Sequence, residues 1–298
     1  MVKLDRTARM KNLYEITDGL LREMVEKDHL EEKLSKYLKP EDCKTLKNVY
    51  EQALSSLCNR QGMPKNIQFE RLSKSSRFER IFTSEKEKKK EEEKQKRACQ
   101  LKEILSDFDP KTVKDNYDKD KGLKSLVEKF NNKNKGLDLK EKIDVDKKHN
   151  PWVMFGNGAI SAAIFLSDFG DRNKFDVVVK DFQRNKYFRD ALPMLLAKEI
   201  VGFGFALACD FLKESGYNGY AKPDRHLMKV FEKSGLCKRN DYERFDYEVF
   251  KTIIEVAKTV EKTPYEVDKK IWLVCTGKFY YDKKVDDKEE ELLGQLSE

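Results

Sequence analysis

Apolar residues recur along much of this chain at the spacing of one α-helical face. Leu13, Ile16, Leu20, Leu21 and Met24 form one such stripe. Leu46, Val49, Tyr50, Ala53, Leu54 and Leu57 form a second after Pro40, a residue that suits a helix start. In "FDVVVKDF" the valines could make a strand. Phe175, Val178, Val179 and Phe182, however, follow i, i+3, i+4, i+7, and the pattern favours a helix. "GNGAISAAIFLSDFG" is small and apolar on nearly every face and predicts a buried central helix.

Local signals place the helix ends. Asp109 caps a helix that opens with Pro110. "TPYEVDKKIWLVCTGKFY" starts with a capping box, Thr263 with Glu266, and puts Pro264 at the first helical position. "NRQGMPKN", at 59–66, is a break, and the polar stretch 131–150 reads as a connection. "SEKEKKKEEEKQKR", at 84–97, mixes both signs at three- and four-residue spacing, as a solvated single helix does, with a DNA-contacting segment as the alternative. The pattern divides into an N-terminal helical region (1–83), a charged linker helix (84–103) and a helical domain (104–298). The fold class is all-α.

Composition narrows the function. Charged and hydrophobic residues each make up 39% of the chain, so the apolar ones must be concentrated to build a core. The net charge of +7 permits a nucleic-acid partner without requiring one. No apolar run reaches the ~18 residues of a membrane span, and the N-terminus lacks a signal-peptide core, so an intracellular protein is expected. The six cysteines are scattered without any C-x-x-C, which predicts free thiols and no locally spaced metal centre.

"IVGFGFALACDFL", at 200–212, breaks the helical pattern. Two glycines interrupt it, although each costs about 1 kcal/mol relative to Ala inside a helix. One helix therefore runs through "YFRDALPMLLAKEI" to about Ile200, and the next begins near Phe205. Between them, Gly202 and Gly204 allow a hairpin, and Phe203 can plug back into the core. The amides that open the second helix would favour an anion, phosphate above all.

This stretch, with Ala208 four residues after the second glycine, resembles the helix-hairpin-helix motif of DNA-repair proteins. Downstream, Asp224-Arg225-His226-Leu227 resembles the Asp-x-His loop of the endonuclease III-like (HhH-GPD) DNA glycosylases. The resemblance spans roughly 150–280. It implies an all-α glycosylase fold whose partner is DNA carrying a flipped base. Asp224 is then the carboxylate that stabilises the oxocarbenium ion and orients water. Gly202, Phe203, Gly204 and Phe205 hold phosphate, with Lys222, Arg225 and His226 as further DNA contacts. Tyr217 and Tyr220 are candidates for lining the base pocket, and Trp152, Tyr265 and Trp272 belong either to a stacking site or to the core.

The family's bifunctional members carry a lysine two residues after the second glycine, where this chain has Ala206. The four-cysteine iron–sulfur loop is absent, and Val201 replaces the usual proline. The resemblance thus implies a monofunctional glycosylase using water and no cofactor, unless Lys198 or Lys222 substitutes. Two other readings stay open: a DNA-binding protein in which Asp224 only caps a helix, and a helical interaction scaffold.

Overall fold

A computed structural model describes residues 5–40, 43–59, 85–118, 121–132, 137, 141–239, 244–279 and 283–297. The chain is predominantly helical, as the periodicity predicts. Strand is limited among the described residues to a two-residue antiparallel pair, Lys278–Phe279 with Lys283–Lys284. No single described helix is long and apolar enough to cross a membrane.

The chain forms two compact units that cut across the linear division. Met1–Glu41 and Leu212–Glu298 make a terminal unit, and Asp42–Phe211 makes a central unit. The 1–83 region is accordingly shared between them. Its first helix finds its apolar partners near the C-terminal end of the sequence, while the helix from Leu46 packs within the central unit. The break at 59–66 lies outside the described residues except for Asn59.

In the terminal unit, helices Arg6–Asp28, Phe245–Thr259 and Pro264–Thr276 pack together. Leu13, Leu20, Leu21 and Met24 meet Ile253, Val256, Ile271 and Val274 in one apolar cluster. The two shorter helices Arg225–Lys233 and Glu289–Gln295 close around Pro264–Thr276. Thr263 caps that helix through the Glu266 amide at 3.2 Å. The reciprocal half of the capping box is replaced, because the Glu266 carboxylate turns to Tyr14 Oη and Lys270 Nζ, each 3.1 Å away.

Lys270 Nζ also donates to Asp18 Oδ1 at 2.7 Å, so this cluster ties the first helix to the 264–276 helix. Burial pushes the Asp18 carboxyl up, but Lys270 and Arg22 outweigh it and hold it below the usual carboxylate range. A depressed carboxyl contributes stability that is fully present above its unfolded pKa and lost as pH falls through the folded one. We expect acid unfolding followed by circular dichroism to become less steep in Asp18→Asn, while stability at neutral pH falls. Superimposable pH profiles would refute this role.

The central unit is built on Pro151–Ser167, the buried helix expected from its composition. Helices Leu46–Cys58, Pro110–Tyr117 and Gly122–Phe130 pack around it. Phe130, Trp152 and Phe155 form an aromatic cluster, and Tyr50 Oη donates to the Ala159 carbonyl at 2.9 Å. "FDVVVKDF" is helical within Arg172–Arg184, with Phe175 and Val179 buried. Asp109 caps Pro110–Tyr117 as expected, and the charged stretch is helical over Glu85–Ile104.

One element departs from the sequence expectation. The predicted helix ending near Ile200 is broken at Asp190 into Lys186–Arg189 and Ala191–Glu199. Pro193 explains the break, since it has no N–H to offer residue 189 and its ring clashes with the carbonyl there.

Candidate functional site

The hairpin lies in the central unit. The Ala191–Glu199 helix ends, Ile200 turns into the core, and the Phe203 amide donates back to the Ile200 carbonyl at 3.0 Å. Gly202 sits at φ +93°, in the region that an L side chain rarely enters, so the turn requires glycine there. Ser161 Oγ accepts from the Val201 amide at 2.9 Å and donates to the Gly158 carbonyl, fixing the turn to the central helix.

Phe203 is buried, as the sequence suggests. It ends an aromatic chain running Phe169, Phe175, Phe211, Phe203 with centroid separations of 5.1, 6.2 and 5.8 Å. Burying a side chain of this size is worth about 1.5–3 kcal/mol and anchors the turn. Phe205 is buried too, so it supports the helix start from below rather than offering its ring to a ligand. Asp210, one helical turn further on, is buried and accepts from Ser56 Oγ at 3.2 Å, which fixes the second helix against Leu46–Cys58.

Gly204 differs from Gly202. A Cβ placed there meets no atom within 4 Å, and the residue has no positive φ. Neither packing nor turn geometry demands glycine at 204. The amides of Gly204, Ala206 and Leu207 donate to no acceptor among the described residues, and they stand where the Phe205–Glu214 helix begins.

The Asp224 loop lies in the terminal unit and brings Tyr217, Tyr220, Lys222, Asp224, Arg225 and His226 together on one stretch of chain. Asp224 is the N-cap of Arg225–Lys233, and its Oδ1 accepts from the His226 and Leu227 amides at 2.9 and 3.2 Å. The residue is half-buried. Tyr220 is fully buried and stacks on Phe250 at 6.4 Å, and Tyr217 is buried as well, so both serve the core of the unit. Trp152 and Tyr265 are also core, and Trp272 is half-buried beside Lys269. Arg225 is exposed, and its Nε lies 3.4 Å from His226 Nε2.

What holds this loop was invisible in the sequence pattern. Asp268, almost fully buried on the 264–276 helix, accepts from Lys213 Nζ at 2.8 Å and, through its other oxygen, from the Lys222 amide. Lys269 pairs with Glu214 at 2.6 Å, and the Tyr265 amide donates to the Asn218 carbonyl at 3.1 Å. Burial pushes the Asp268 carboxyl above the usual range, against the pull of Lys213. These charges sit among apolar positions of their helices, where a period-based reading sees only solvated faces.

His226 meets the start of the Glu289–Gln295 helix. Its Nδ1 lies 2.9 Å from Glu289 Oε1, and Lys229 Nζ approaches the other oxygen of Glu289 at 3.5 Å. The Cys275 thiol completes the group, and donor atoms of His226, Cys275 and Glu289 all lie within 4.8 Å of one another. Burial first, then Glu289 and Asp224, push this thiol well above its ordinary range.

Comparison with known protein families, curated proteins and solved structures finds no match to this chain. The functional reading therefore rests on the residues themselves: a backbone-amide hairpin in the central unit and a capped, half-buried carboxylate in the terminal unit.

Proposed function

We propose that the protein is a monofunctional DNA glycosylase that binds phosphate at the Gly202–Gly204 hairpin and uses Asp224 to hydrolyse the N-glycosidic bond of a flipped base. The observation that carries this reading is Gly204. A glycine that the fold does not need, at a helix start where the Gly204, Ala206 and Leu207 amides have no acceptor among the described residues, suits a backbone that an external phosphate must approach closely. Asp224 supports it as a carboxylate with one oxygen committed to the cap. At C1′, a negative charge of this kind stabilises the oxocarbenium transition state and orients the attacking water. The all-α glycosylase fold, the DNA partner and an intracellular location form part of the same proposal.

The test is a panel of duplexes, each carrying a single altered base, assayed for abasic sites. Because Ala206 stands where bifunctional relatives carry lysine, released base should leave an intact strand until alkali or heat is applied. Borohydride should trap no covalent adduct, and efficient trapping would transfer the attack from water to a lysine.

The hairpin gives a separate expectation. In Gly204→Val the new Cβ has no atom within 4 Å, so the fold should lose no more than about 1 kcal/mol. DNA binding should weaken markedly, because the branched side chain stands over the amides. Wild-type affinity should fall by about 0.9 log unit per phosphate contact for each tenfold rise in salt. Salt-independent binding, or full binding by a folded Gly204→Val protein, would remove the hairpin from the interface.

A second reading has its own observation. Asp224 Oδ1 caps a helix through two amides, which is a sufficient structural reason for an aspartate at that position. On this reading the protein binds DNA without cutting it.

A further inference from the structure

The strongest feature left over by the glycosylase reading is the His226, Cys275 and Glu289 group. These residues come from three different elements: the first turn of Arg225–Lys233, the last turn of Pro264–Thr276 and the first position of Glu289–Gln295. An imidazole, a thiol and a carboxylate are the three donor types that zinc accepts from proteins, and mixed sulfur, nitrogen and oxygen sets suit it well. Tetrahedral zinc, with bonds of about 2.0–2.3 Å, places neighbouring donors roughly 3.5 Å apart. The present donors lie within 4.8 Å of one another, a gap that small rotations of the Glu289 and His226 side chains close.

The surrounding charge also favours a cation. Burial apart, Glu289, Asp224 and Asp287 place carboxylates near the Cys275 sulfur, and Lys229 places an ammonium there. Lys229 has a second partner in Glu290 at 3.1 Å, to which it can turn when Glu289 binds metal. Cys275 is buried, and His226 and Glu289 are half-buried.

We propose that His226, Cys275 and Glu289 form a zinc site that fastens the C-terminal segment to the helices of the terminal unit. Binding replaces the thiol proton, which passes to solvent, with a sulfur–zinc bond. The inference is independent of glycosylase activity and is tested without DNA. It also revises the sequence-based expectation of no metal, because ligands 49 and 14 residues apart leave no local spacing to recognise.

The experiment uses the full chain stripped of metal, with cobalt(II) as a spectroscopic stand-in and zinc measured by competition with a chromogenic chelator. One equivalent of cobalt should produce a near-ultraviolet thiolate-to-cobalt charge-transfer band in the wild type. Cys99→Ser, which alters the exposed cysteine, should keep that band, and Cys275→Ser should lose it. His226→Gln and Glu289→Gln should each weaken zinc binding by at least about tenfold, or about 1.4 kcal/mol. The wild type provides a reading that needs no variant to fold: native mass spectrometry should show one bound zinc, and zinc should raise its melting temperature. Absence of bound zinc, a charge-transfer band that survives in Cys275→Ser, or unchanged affinity in both the His226 and Glu289 variants would overturn the proposal.

Discussion

Asp224→Asn should melt like the wild type, bind DNA at least as tightly and release base about a hundredfold more slowly or worse. The structure sharpens the reason. Only Oδ1 takes part in the cap, accepting from the His226 and Leu227 amides, and the Oδ1 of asparagine can accept the same two bonds. Asn and Asp cap helices about equally well, so the substitution leaves the helix start intact. What disappears is the negative charge. If that charge stabilises the oxocarbenium ion, each 1.4 kcal/mol lost is about tenfold in rate, and electrostatic contributions of this kind reach about 10²–10³. A binder whose aspartate only caps would show no difference in any assay. The comparison requires a substrate that the wild type processes, and with one in hand full activity of Asp224→Asn excludes the proposed chemistry.

The second large effect concerns Asp268. Asp268→Ala should cost the terminal unit about 3–5 kcal/mol, the range for breaking a buried ion pair by removing one partner. The mutation leaves the Lys213 ammonium buried without its 2.8 Å carboxylate and takes the acceptor from the Lys222 amide. Asp268→Ala combined with Lys213→Met should recover part of the loss, because the ammonium, whose contact with Glu214 is the longer one at 3.8 Å, then no longer has to stay buried without Asp268. Chemical denaturation of the two variants reads the difference directly. A loss below about 1 kcal/mol in Asp268→Ala would mean that water reaches Lys213 easily and that the loop is held mainly by its other contacts, the Tyr265 to Asn218 bond among them.

The sequence pattern revealed the local structure far better than the long-range structure. The helical class, the 172–184 helix, the buried 151–167 helix and the caps at Asp109 and Thr263 all follow from periodicity or from residues within four positions. The hairpin was legible for the same reason: Gly202 and Gly204 interrupt an apolar run, and Phe203 between them is large enough to need a core. Pro193 carried the signal for the break at Asp190, which helical periodicity outweighed. The Asp268 and Lys213 pair could not be seen, since a charged residue on a helix gives no sign of which neighbour will cover it. The approach of His226, Cys275 and Glu289 depends on the tertiary packing of three elements. Gly204 was legible as a glycine, but only the structure separates it from Gly202 as the one that the turn does not need.

The discontinuous terminal unit also dictates an order of events during synthesis. Residues 42–211 are contiguous, so the central unit can fold as soon as it has emerged. The Arg6–Asp28 helix emerges earlier still, yet its partners Ile253, Val256, Ile271, Val274 and Leu292 are translated only after the whole central unit. For most of translation the stripe of Leu13, Leu20, Leu21 and Met24 has no native surface to cover it. Closing the unit then means joining chain ends across the whole intervening segment, which carries a loop-closure cost and slows folding. Until the residues after the central unit have been synthesised, that apolar stripe has no native partner within its own unit.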